Sequence, residues 1–465
     1  MIGGLKKASL YLFAGASAFA ILASTAPAAN AQYITRAEFE EYKKSQPKVE
    51  WKGAPKISSH DGKFSFKVRG RLQVDYNAID QDERITGEDD INSWEARRAR
   101  LGVEGKVFYD WKYKFEIDFA DNEVDFKDAY ISYAGFSDWN NLEILFGQFK
   151  IANSLEGQTS SRFITFMERG FLVNAFELEP RALGIGLHAG SNDDFGWSFQ
   201  TSYNGPDIGN GGDWDEAPSI WAIRATVAPV NTDDAIVHLG ASYRQRDNGT
   251  LRDDNVTDLY RYRSRVGLHL SDRFVDTGSL AESDDYWGIE GAVAWNRFSV
   301  QGEYGETTAD LPGNLDGSMP RGISPTYDGW YIFGSIFLTD DSRASGYSAR
   351  KGEFGRVKPT NPFDLKNGGW GAWEIAGRWS ELNLGSDAAQ LAEATGDDFC
   401  DATPAAEGGG DGCGSQEGWT IALNWYPTNY TRLMFNVIGT DVGGTFNGFR
   451  GADISGFGMR GQIDW

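Results

Sequence analysis

Apolar and polar residues alternate along most of this chain. From Lys63 to Asn77, Phe64, Phe66, Val68, Leu72, Val74 and Tyr76 share one face of an extended segment. Lys63, Ser65, Lys67, Arg69, Arg71, Gln73, Asp75 and Asn77 share the other. Residues 112–119 repeat the pattern, with Lys112, Lys114, Glu116 and Asp118 opposite Tyr113, Phe115, Ile117 and Phe119. The final segment, Phe457, Met459, Gly461, Ile463 and Trp465, places an aromatic at the last residue. A half-buried strand of a soluble protein also alternates. Here about sixteen segments do so, with Trp, Tyr and Phe near the ends of their apolar faces and charges on their other faces. A small soluble barrel would not bury those charges. Lipid outside and water inside requires both faces, over tilted spans of roughly 9–11 residues. The pattern predicts an all-β fold, a sixteen-stranded antiparallel transmembrane β-barrel.

Strands are predicted near 63–77, 94–107, 112–121, 126–136, 142–150, 183–190, 195–204 and 219–228, then 235–247, 285–295, 297–307, 328–338, 371–383, 417–427, 430–440 and 455–465. Short turns alternate with long polar loops, as in bacterial barrels. Leu259–Leu270 could add a strand, but both termini on the periplasmic side require an even number of spans. Residues 248–284 are therefore assigned to one long extracellular loop folded into the lumen, with eighteen strands as the alternative. The same parity puts 339–370 in an unusually long, basic periplasmic turn that folds toward the pore mouth.

Residues 1–31 read as a secretory signal peptide: Lys6 and Lys7, an apolar Leu10–Ala23, and Ala29-Asn30-Ala31 before Gln32. Residues 32–62 form a periplasmic segment, in which 33–44 has helical spacing or is a disordered tail, and 46–62 is a linker. The barrel domain is 63–465. Outside the leader no run of 18 apolar residues occurs, which excludes helical spans. Cys400 and Cys413, the two cysteines of the chain, flank a Gly/Asp-rich stretch and read as a loop disulfide contributing about 3 kcal/mol. No His lies near them, so no metal site is expected. The net charge of −23 argues against nucleic acid as partner. Acidic outer loops are common where divalent cations bridge to lipopolysaccharide. Ion selectivity depends instead on the charges at the narrowest point.

Basic residues concentrate at a few places. Lys67, Arg69 and Arg71 share the inward face of the first strand, and Arg98 and Arg100 that of the second. Alternation turns Arg97 outward unless a bulge intervenes. Arg261, Arg263 and Arg265, spaced by two, are either a ladder of bidentate partners for a moving anion or a solvated loop edge. The segment 152–181, between the strands ending near 150 and beginning near 183, is too long for a turn and too apolar for an exposed loop, so it should fold inward and narrow the pore. There Ser160, Ser161, Arg162 and Arg169 offer donors to an oxyanion.

The stretches SWEARRARLGVEGKVFYDWKYKFEIDFADN (93–122), FKDAYISY (126–133) and FGQFKIANSLEGQTSSRFITFMERG (146–170) carry a resemblance to the phosphate-selective porin O and P family. It continues through RFVDTG (273–278), FLTDDSRASGYSARKGEFGRVKP (337–359) and GAWEIAGRWSELNL (371–384), covering nearly all of 60–465. The resemblance implies a trimeric sixteen-stranded barrel with two extracellular loops and a periplasmic turn folded into the pore. It places Arg97, Arg98, Lys127 (or Asp128, one residue along), Ser160, Ser161 and Arg169 at the anion constriction. It places Arg261, Arg263 and Arg265 in an anion ladder, and Arg350, Lys351, Arg356 and Lys358 at a basic periplasmic exit. Phosphate-specific members carry a lysine just after the Leu-Glu pair; here that position is Gly157.

The function expected is passive diffusion of small inorganic anions, phosphate or polyphosphate among them, by a homotrimer set in outer-membrane lipid and lipopolysaccharide. The alternative is a general porin for neutral or cationic solutes. A barrel enzyme would need a nucleophile and base together. None of His60, His188, His238 and His269 sits in such a setting, so no catalysis and no cofactor is expected.

Overall fold

The computed structural model describes residues 35–82, 90–209, 214–251, 259–311, 324–385, 401–402, 414–446 and 449–465. Its barrel strands are β1 Ser65–Asp80, β2 Ile91–Val107, β3 Trp111–Asp118, β4 Asp125–Phe136, β5 Leu142–Lys150, β6 Arg181–Ser191, β7 Gly196–Asn204 and β8 Ser219–Asn231. They continue as β9 Ala235–Asp247, β10 Ser283–Trp295, β11 Phe298–Asp310, β12 Thr326–Phe337, β13 Ala372–Asn383, β14 Ser415–Thr428, β15 Thr431–Phe446 and β16 Phe449–Asp464. Each pairs antiparallel with the next. The last pairs with the first, Ser455 opposite Asp80 and Asp464 opposite Arg71, so the ring closes at sixteen. Closure satisfies every ladder hydrogen bond, which the hydrocarbon core demands.

The alternation sorts as expected. Along β14, Gln416, Thr420 and Asn424 are buried toward the lumen while Trp419 and Ile421 are exposed on the outside. At the end holding both barrel termini, six connections are short. Asn296, in the two-residue β10–β11 turn, takes φ 50°, a left-handed conformation Asn tolerates. The seventh is the long turn 338–371.

Residues 36–45 form helix α1 by themselves, capped by Thr35 and Glu38 in a reciprocal capping box. The expected linker 46–62 is partly ordered instead. Lys48–Lys52 and Ala54–Ser58 make a hairpin whose second arm pairs Lys56 with Lys67 of β1. Gly53 turns it at φ 80°, where a Cβ would meet the Tyr430 ring at 2.6 Å.

The core lies inside the barrel. The β5–β6 loop, 151–180, enters the lumen with two short helices, α2 Leu155–Gln158 and α3 Phe171–Ala175. The β9–β10 loop follows it as a hairpin of Tyr260–Arg265 and Arg273–Ala281, off the barrel wall. Phe166, Met167, Leu172 and Phe176 of the first loop pack on Tyr262, Leu268 and Leu280 of the second. Tyr286, Tyr331, Phe333, Met434 and Ile438 of β10, β12 and β15 complete this cluster. Full burial of each such side chain is worth about 1.5–3 kcal/mol. The two apolar loops thus form a wedge against one side of the lumen.

Candidate functional site

The wedge is fixed by arginines whose partners are backbone carbonyls. Arg432 of β15 donates to the carbonyls of Ile164 and Thr165 at 2.6 and 3.0 Å. Arg460 of β16 donates to Met167 at 2.5 Å, and Arg378 of β13 to Glu168 at 2.9 Å. Arg343 of the long turn reaches Phe163 at 3.1 Å, and Arg244 of β9 reaches Phe176 at 3.0 Å. A loop inside a lumen has few backbone partners of its own, so guanidinium forks from the wall supply them.

The opposite side, β1 to β7, remains open as a cavity of about 440 Å³ between the wall and the loop. Ten Lys and Arg side chains line it against five Asp and Glu. Four of those acids are each shared by several cations. Glu116 lies 3.3 Å from Arg100, 3.6 Å from Arg69 and 3.8 Å from Arg71. Asp128 holds Lys114, and Arg181 at 2.9 Å. Glu143 holds Lys112 at 2.7 Å with Arg350 at 3.6 Å. Glu179 holds Arg169 at 2.7 Å with Lys150 at 3.6 Å. The lining therefore carries a cationic surplus in a chain whose net charge is −23.

The expected constriction residues divide. Ser160 and Ser161 line the cavity; Ser161 Oγ accepts from Arg71, and its carbonyl accepts from Gln73 at 3.1 Å. Arg97 turns inward through a bulge, since Gln73 faces Arg98 while Asp75 faces Glu95. There Arg97 grips Glu168 with two bonds of 2.9 and 3.0 Å. Burial would raise the Glu168 carboxyl, but Arg97, Arg98 and Arg460 hold it well below the usual carboxylate range. Arg98 is buried and donates to Gln73 at 3.0 Å.

Two expected positions differ in detail. Lys127 is the bulged residue between the Glu116–Asp128 and Ile117–Phe126 pairs, and it pairs with Asp125. Asp128, the alternative one residue along, lines the open cavity. Arg169 does not face the open cavity: it ties the loop to itself through the Glu156 and Thr159 carbonyls, both at 2.9 Å, and Glu179.

In the luminal hairpin, Arg261, Arg263 and Arg265 are half-buried on one side while Tyr262 and Ser264 are buried on the other. Arg261 grips Asp276 with two bonds of 2.5 and 2.6 Å. Burial and then the like charge of Arg97 lower the Arg265 guanidinium. Burial, then Arg265 and Arg263, push Arg273 down to about 10. Of the long turn, Arg350 and Lys351 line the cavity. Arg356 instead pairs with Asp464, stacked 5.1 Å from the rings of Phe163 and Tyr430, and Lys358 is exposed. Cys400 and Cys413 lie outside the described residues.

Sequence reasoning missed Lys150 and Arg181 and gave no weight to Lys114. Alternation marks Lys114 as inward. Lys150 and Arg181 end β5 and begin β6, where alternation runs out.

A closed barrel with an apolar exterior, a charged interior and loops narrowing its lumen is an outer-membrane channel. The chain belongs to the phosphate-selective porin O and P family, which matches residues 66–464. It is similar to Porin O of Pseudomonas aeruginosa, with 27% identity over 368 residues that cover 73% of this chain and 77% of that one. An uncharacterized protein of Caulobacter vibrioides is 30% identical over 432 residues, covering 90% of this chain and 77% of that one. Among solved structures, an anion-selective porin from Comamonas acidovorans shares the fold, with TM-score 0.50, 11% identity, and coverage of 86% of this chain and 100% of that one.

Proposed function

We propose that this porin passes small inorganic anions by passive diffusion, phosphate and polyphosphate among them. The observation that carries this reading is the cationic surplus of the open half of the lumen, set against the acidic whole. Selectivity follows the charges that line the path, since dissolved ions screen distant exposed charges beyond about 8 Å at physiological salt. The row of half-buried arginines in the luminal hairpin would feed the same path. A homotrimer in lipid and lipopolysaccharide, the cleavage after residue 31, the 63–465 barrel domain and the Cys400–Cys413 bridge belong to the same proposal. A second reading, a general porin for neutral or cationic solutes, is favoured by Gly157 where phosphate-specific members carry lysine.

The test is the zero-current potential of the purified protein in a planar bilayer under a KCl gradient. A chloride-favouring potential supports the proposal. A potassium-favouring potential refutes it and supports the second reading.

A further inference from the structure

We propose that Lys150, which nothing else singles out, sets the oxyanion affinity of this lumen where loop 151–180 meets the β5–β6 wall. The inference rests on the anion channel proposed above. Lys150 is the last residue of β5, and its side chain, 14% exposed, lines the open cavity. Its ammonium donates to the Gly157 carbonyl at 2.5 Å and stands 3.6 Å from Glu179. Glu179 is held more closely by Arg169, at 2.7 Å. An ammonium has three donors, and among the described residues its one hydrogen-bond partner is a neutral carbonyl.

Gly157 itself can carry no cation: a Cβ there would lie 2.4 Å from the Leu178 carbonyl and 2.7 Å from Ser154 Oγ, so no side chain fits. The loop's Arg169 is engaged with Glu179 and its own carbonyls, which leaves the wall's Lys150 as the charge next to Gly157. Gln158, Ser160 and Arg181 line the same cavity and supply further donors. Burial would raise the Glu179 carboxyl, but Arg169 and then Lys150 hold it below the usual carboxylate range, so it stays charged beside the lysine. An oxyanion entering the cavity competes with Gly157 and Glu179 for Lys150, which on its flexible stem acts as a compact, movable charge.

The experiment measures conductance of the full chain in planar bilayers against potassium phosphate concentration. The wild type is expected to saturate. Lys150→Gln should raise the half-saturating concentration roughly tenfold, the loss of one charge-assisted hydrogen bond, and Lys150→Arg should largely restore it. Glu179→Gln removes the competing carboxylate while keeping an acceptor for Arg169, and should lower that concentration. Barrel integrity is checked by heat-modifiable migration. If Lys150→Gln fails to form a barrel, the Glu179→Gln shift decides alone. A linear wild-type curve, or half-saturation unmoved in Glu179→Gln and in any folded Lys150→Gln, overturns the proposal. A potassium-favouring zero-current potential would instead defeat the anion reading beneath it.

Discussion

Replacing Arg460 by Met tests whether wall arginines hold the pore-narrowing loop. Arg460 is fully buried. It donates to Asp75 at 2.7 and 2.6 Å, to Glu168 at 2.8 Å and to the Met167 carbonyl at 2.5 Å. Met fills the volume but leaves the Asp75 carboxylate buried without another partner among the described residues. Glu168 would keep Arg97. Removing one member of such a buried pair costs about 3–5 kcal/mol. Two of these bonds join β16 to β1 within the wall and two reach the loop. The backbone ladder is untouched, and undocking the segment around 165–168 would let water reach Asp75, so the penalty is relieved by loop opening. A 4 kcal/mol change is roughly a thousandfold in a local opening equilibrium. Single-channel conductance in KCl is expected to rise and to fluctuate, while the barrel still migrates as a heat-modifiable species. Adding Asp75→Asn should recover stability without restoring the low conductance, because the clamp on Met167 stays absent. An unchanged, quiet conductance in a folded Arg460→Met channel would refute the clamp.

Arg169→Ala should act on the loop rather than on an anion ligand. It removes three bonds of a charged donor, each worth about 1.5–3 kcal/mol, so protease sensitivity within 151–180 should rise along with conductance; a change in phosphate affinity alone would contradict this. Leu268→Ala should loosen the wedge by about 2–5 kcal/mol, since Leu268 is fully buried and its methyls fill the space left by Gly456 and Gly458; open-channel noise reports it, and a quiet channel counts against the wedge. Because Glu179 titrates below the usual range, its ion pairs contribute at pH above the unfolded value and are lost only when pH falls through the depressed folded value. The difference between wild type and Glu179→Gln should therefore persist at about pH 4.3, where an ordinary Glu is half protonated; its disappearance there would refute the assignment.

The sequence by itself determined the barrel. A period of two over sixteen segments fixes which face meets lipid, and a one-residue slip would turn every strand inside out. Parity then placed 248–284 and 339–370 as inward-folding connections before any contact was known. The tertiary structure alone decided which charges remain available to a solute. Arg378, Arg432 and Arg460 are as inward and as basic as Arg69, Arg71 and Arg100, yet the former face the loop's carbonyls and the latter face the open cavity. A backbone carbonyl is the same at every residue, so no sequence signal marks which ones will need a guanidinium. Bulges are equally silent: one extra residue opposite Val74 turned Arg97 inward, and one at Lys127 set Asp128 opposite Glu116. Lys150 and Gly157 lie seven positions apart, and only the closure of β5 against β6 and the descent of the loop bring that ammonium and that carbonyl together.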